Sequence, residues 1–115
     1  MPQQQAVNPS AGVRELWHPH RADIRLEQVL HALADPVRLR IVRTLATRRE
    51  ELTCSVFDLP VSKSTTTHHF RVLRESGVIR QFYRGTAKLN GLRREDLDAR
   101  FPGLLDAVLA AAERG

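Results

Sequence analysis

The chain has 115 residues, 42% of them apolar, and a net charge of +5, which bounds it to one domain built on one core. No apolar run approaches the ~20 residues of a membrane span, and the opening Met1-Pro2-Gln3-Gln4-Gln5 lacks the basic-then-apolar pattern of a secretion signal. The single cysteine, Cys54, makes no internal disulfide, so a cytoplasmic protein with no membrane partner is expected. Charge placement is more telling than charge sum. From Ser62 to Lys88 six cations (Lys63, Arg71, Arg74, Arg80, Arg84, Lys88) face one anion, Glu75, and the remainder of the chain is neutral. A basic patch confined to about a quarter of a neutral chain points to a polyanion at that place, against the plainer reading of a solvated basic face.

In chain order, residues 1–20 read as a flexible N-terminal segment: polar to about residue 13, a short turn at Val13–Trp17, then a break at His18-Pro19-His20. Residues 21–115 read as the folded domain. Asp23 looks like an N-cap for a helix from Ile24, with Ile24, Leu26, Val29, Leu30 and Leu33 at helical spacing. Asp35-Pro36 ends that helix and caps a second, because proline disfavours helix before it and suits the first helical position. The second helix runs to about Thr47, with Val37, Ile41, Val42 and Leu45 inward. Leu52–Asp58 suits a short strand or a helical turn.

Ser62 caps a third helix that ends near Ser76, with Gly77 placed as a left-handed terminator. Thr66, Phe70 and Leu73 share its buried face. Lys63, Ser64, Thr67, His68, Arg71 and Arg74 point elsewhere. Residues 78–90 read as a hairpin with Arg84-Gly85 at its tip, decorated by Arg80, Arg84 and Lys88. Gly91–Arg94 reads as a turn. A last helix runs from Leu104 to about Glu113, and its narrow stripe of Leu104, Leu105, Val108 and Leu109 suits a partner surface.

Helix, connector, helix with a basic hydroxyl-rich face, then a basic hairpin is the layout of a winged helix-turn-helix, mainly α with a small β-hairpin wing. Such a helix enters the major groove with its N-terminal residues at the base edges, and long cations reach phosphates or the minor groove. The candidate contacts to double-stranded DNA are Lys63, Ser64, Thr65, Thr67, His68, Arg71, Arg80, Arg84 and Lys88. His69 turns partly toward the core and reads as structural. It lies about 100° around the helix from His68, so the two do not chelate one ion.

Two segments, Ala32-Leu33-Ala34-Asp35-Pro36-Val37-Arg38-Leu39-Arg40-Ile41-Val42 and Ser62-Lys63-Ser64-Thr65-Thr66-Thr67-His68-His69-Phe70-Arg71-Val72-Leu73-Arg74-Glu75-Ser76-Gly77-Val78, resemble the ArsR family of bacterial winged-helix repressors over roughly residues 24–90. The resemblance implies a homodimer built from first and last helices, binding to an operator, and release by an inducer, here an unknown small molecule. The expected dimer residues are Ile24, Leu26, Leu30, Leu104, Leu105, Val108 and Leu109.

The thiol-type metal sensors of that family carry Cys-x-Cys before Asp-Leu. Aligned on Asp58-Leu59, those positions hold Ser55 and Phe57. The family's zinc-type members use Asp and His on the last helix, which here offers Asp106 and Glu113 and no His. Neither ligand set is present, so no metal and no cofactor is expected. Cys54, between Leu52 and Val56, reads as a small core residue. A redox-responsive regulator using Cys54, and a protein-interaction module on the same fold, stay as alternatives. The chain has no His-Glu-x-x-His, Gly-rich phosphate loop or Gly-x-Ser-x-Gly, so no enzyme and no catalytic residues are expected.

Overall fold

The computed structural model describes residues 13–115. The first twelve residues of the expected flexible segment lie outside the described residues. The elements are β1 (Val13–Glu15), α1 (Leu26–Leu33), α2 (Pro36–Arg48), β2 (Leu52–Thr53), α3 (Lys63–Glu75), β3 (Ile79–Arg84), β4 (Ala87–Leu92), α4 (Arg94–Arg100) and α5 (Leu104–Arg114), with 3-10 turns at Arg21–Asp23 and Cys54–Val56. The strands form one antiparallel sheet in the order β1-β3-β4-β2.

Helices α2 and α3 arise where their caps predict them. Asp35 accepts hydrogen bonds from the backbone N–H of Val37 (2.9 Å) and Arg38 (3.1 Å), with Pro36 in the first turn of α2. Ser62 accepts from Thr65 N–H at the start of α3 (3.2 Å). Gly77 follows α3 at φ +89°, and a Cβ there would lie 2.7 Å from Ile24 Cγ1, so glycine is required twice over. The core gathers Val29, Ala32 and Leu33 of α1, Ile41, Val42 and Leu45 of α2, Phe70 and Leu73 of α3, and Val78 and Ile79 at the root of the hairpin.

Several expectations are corrected. Asp23 caps no helix: it sits in a 3-10 turn, and α1 starts at Leu26 with Arg25 at the cap position and no side-chain cap. The expected turn at Val13–Trp17 is instead strand β1, paired with β3 in the register Val13↔Arg84, Arg14↔Tyr83, Glu15↔Phe82. Gly91 and Leu92 continue β4, and Arg94 opens α4, a helix with no clear periodic signal. That helix clamps the preceding chain: Arg93 donates to Pro19 O (2.7 Å) and to Asp96 (2.9 Å), Asp96 also accepts from Arg21 (2.7 Å), and Leu97 is buried.

Two expected dimer residues belong to the protomer's own core. Ile24 is 1% exposed and Leu105 2%, because Ile24 fills the space over Gly77 and Leu105 packs on the core cluster. Leu26 and Leu30, by contrast, remain 43% and 44% exposed, and Leu104, Val108 and Leu109 are half-buried. Among the described residues no helix is long and apolar enough to cross a membrane.

Candidate nucleic-acid interface

Helix α3 divides cleanly into two faces. His69, Phe70 and Leu73 are buried, while Lys63, Ser64, Thr65, Thr67, His68 and Arg71 are exposed. The hydroxyls of its first turns are held by local bonds. Thr65 Oγ1 accepts from Ser62 Oγ (2.9 Å), which leaves its own proton for an outside acceptor. Thr67 Oγ1 donates to Lys63 O (3.1 Å), which leaves its lone pairs for an outside donor and its methyl for an apolar contact. These are the capacities that base edges and thymine methyls call for.

The buried face is anchored by a polar contact that periodicity does not show. Arg38 is 7% exposed and reaches across from α2. Its Nε donates to Ala32 O (2.7 Å) and its Nη2 to His31 O (3.2 Å), satisfying carbonyls at the C-terminal end of α1. Its Nη1 lies 3.2 Å from His69 Nδ1. A guanidinium only donates, so Nδ1 accepts and the ring proton sits on Nε2. One arginine therefore ties α1, α2 and α3 together, and His69 is structural as expected. Burial raises the pKa of nearby Asp35, but the N–H of Arg38, the charge of Arg38 and the N–H of Val37 outweigh it and hold the carboxyl below its usual range.

A second buried chain joins α3 to the wing. Arg74 Nη1 donates to Gln81 Oε1 (2.7 Å), Gln81 Nε2 to Asn90 Oδ1 (2.7 Å), and Asn90 Nδ2 to Leu52 O (3.0 Å) and Cys54 Sγ (3.3 Å). Arg74 is thus turned inward and leaves the basic face on which sequence spacing placed it. Gln81 and Asn90 are 1% and 0% exposed. Gln81 follows Ile79 at a two-residue period and pairs with Asn90, a signal masked by their polarity.

The hairpin sorts its cations by pleat. Arg80, Phe82 and Arg84 share one face of β3; Ile79, Gln81 and Tyr83 share the other, toward α3. Arg80 is engaged by Glu15 (3.0 Å) and Glu51 (3.1 Å) and stacks 4.5 Å from the Phe82 ring. Among the expected DNA contacts it differs from Lys88 in pointing away from α3, toward two carboxylates. Arg84 is at the tip, 3.6 Å from Glu51 but with its side chain 61% exposed, and Gly85 beside it takes φ +62°. Lys88 pairs in register with Tyr83, on the face toward α3.

A helix-turn-helix domain family matches residues 33–81, the stretch from the end of α1 through α3 into β3. The uncharacterized HTH-type transcriptional regulator YceK of Bacillus subtilis is 32% identical over 83 residues, covering 70% of this chain and 83% of that protein. The chain belongs to the helix-turn-helix transcriptional regulators. The solved ArsR family transcriptional regulator RHA00566 superposes with a TM-score of 0.58 at 25% identity, covering 77% of this chain and 92% of that one. A further relative, the uncharacterized HTH-type transcriptional regulator MJ1325 of Methanocaldococcus jannaschii, is 30% identical over 60 residues, or 51% of this chain and 67% of that protein. The regulator is accordingly a DNA-binding protein.

Proposed function

We propose that this regulator is a repressor that binds an inverted-repeat operator as a homodimer, with α3 in the major groove and the wing on the flanking backbone. The observation that carries the reading is the exposed first half of α3, where Lys63, Ser64, Thr65, Thr67 and His68 stand on a helix whose rear face is locked by Arg38. Rigid backing matters because base readers must be held in place before they meet DNA. Ser64, Thr65, Thr67 and His68 are the proposed base readers. Lys63, Arg71, Arg84 and Lys88 are the proposed phosphate or minor-groove contacts. The DNA-binding unit is residues 21–115 together with strand β1, which pairs with the wing, and Leu26, Leu30, Leu104, Val108 and Leu109 are the proposed dimer residues that remain once Ile24 and Leu105 are assigned to the core.

The test is fluorescence anisotropy on operator and scrambled duplexes across a salt series. Thr67→Ala is expected to weaken operator binding by about 1–3 kcal/mol and scrambled binding less, relaxing specificity. Arg71→Ala is expected to weaken both alike and to lower the salt slope by about one unit per contact, doubled in a dimer. Identical profiles for the two variants would remove the division between readers and phosphate contacts. No effect from either would remove α3 from the interface.

A further inference from the structure

Strand β1 brings a cation to the wing. Its register places Arg14 opposite Tyr83, and Tyr83 is opposite Lys88 on β4. Residues opposite one another in antiparallel pairs share a face, so Arg14, Tyr83 and Lys88 form one row across three strands. The row lies on the face toward α3, the face from which Gln81 meets Arg74. Tyr83 sits between the two cations, with Arg14 Cζ 5.0 Å and Lys88 Nζ 5.9 Å from its ring centre. Leu16 N–H to Gln81 O (2.9 Å) extends the pairing past the strand and holds the strap against β3.

Carboxylates are sorted the other way. Glu15 is one residue on, so the pleat sends it to the opposite face, where it meets Arg80. Glu51 meets Arg80 and Arg84 on that same face. Among the described residues no carboxylate forms an ion pair with Arg14 or Lys88, whereas Arg80 has two. The wing therefore has a neutralised outer face and a cationic face beside the recognition helix. Arg14 is exposed on the latter, and the tyrosine beneath it restrains its position without removing its charge.

We infer that Arg14 is a DNA-backbone contact supplied by the N-terminal strap, and that the Arg14–Tyr83–Lys88 row forms a phosphate-binding edge of the wing. The inference rests on the DNA-binding reading and adds to it a residue outside the helix-turn-helix and the hairpin. It assigns β1 a role in affinity, not in sequence choice, because phosphates carry no base information.

The experiment compares full-length wild type, Arg14→Gln, Arg14→Lys, Glu15→Gln and Thr67→Ala by anisotropy on operator and scrambled duplexes over a salt series. Trp17, the single tryptophan, reports by its fluorescence whether the strap stays in place. Arg14→Gln is expected to weaken both duplexes alike, roughly three- to tenfold, and to lower the salt slope by about one unit per protomer. Arg14→Lys should restore the slope, and Glu15→Gln on the far face should not weaken binding. Wild-type affinity and slope for Arg14→Gln, with Thr67→Ala impaired, would overturn the role of Arg14 and leave the α3 interface standing. A loss with unchanged slope, not rescued by lysine and accompanied by altered Trp17 fluorescence, would make the strap a structural brace only and also overturn it. If Thr67→Ala, too, bound as wild type, the wider reading of the interface would fall together with this one.

Discussion

Gly77 and Gly85 both take left-handed backbone, at φ +89° and +62°, yet their surroundings differ sharply. Open space surrounds the place where a Gly85 Cβ would stand, and at Gly77 the Ile24 side chain occupies it. Gly85→Ala is therefore expected to cost only the left-handed penalty, about 1 kcal/mol. Gly77→Ala adds overpacking against a side chain that is itself in the core, for about 3 kcal/mol in all. Urea denaturation would show the difference as a lower midpoint at unchanged slope. Equal losses at the two positions would mean that Ile24 yields. The same contact explains why Ile24 is unavailable to a partner: it is the counterpart of a missing Cβ.

At the scale of the element, the helices are joined end to end by capping. Asp35 opens α2, and three residues later Arg38 closes α1, so one turn of chain serves two helix ends. Asp96, inside α4, instead ties that helix to the preceding chain: burial raises its pKa, but the hydrogen bonds and charges of Arg21 and Arg93 hold it below the usual range. Because both folded-state pKa values lie below the unfolded value near ~3.9, each carboxylate contributes stability above that pH and loses it as the pH falls through its folded value. Chemical denaturation across pH is expected to show stability falling below about pH 4. Asp35→Asn and Asp96→Asn should each lower stability at neutral pH and flatten that acid limb. An unchanged limb in both variants would place the acid sensitivity in other carboxylates.

For the whole molecule, the decisive question is what covers Leu26 and Leu30. Both are more than two-fifths exposed on α1, where an isolated protomer leaves them in water. With a homodimer as the proposed state, Leu26→Glu combined with Leu30→Glu is expected to give a folded monomer by sedimentation, with operator affinity reduced by an order of magnitude or more, since each half-site then binds alone. Charged residues at Ile24 or Leu105 should instead unfold the chain, because those side chains are inside it. A wild-type monomer at micromolar concentration would remove the dimer from the proposal.

The two capped helices, the exposed row from Lys63 to Arg71 and the glycine tip of the wing were legible in the sequence, because each depends on neighbours a few residues away. Ser62 needs only Thr65, and Asp35 only Val37 and Arg38. Family-like spacing around those residues was enough to name the architecture. The tertiary structure alone decided the rest, because those features are contacts across many residues. Arg14 meets Tyr83, Arg38 meets His69, Arg74 meets Gln81, and Arg93 meets Pro19, and no pattern in the sequence marks any of these partners. An arginine's long stem lets packing choose its direction, so spacing cannot say whether it faces solvent, a carboxylate or a buried carbonyl. Strand pairing has the same property: three residues of β1 carry too little pattern to announce a strand, and only the open edge of β3 makes them one.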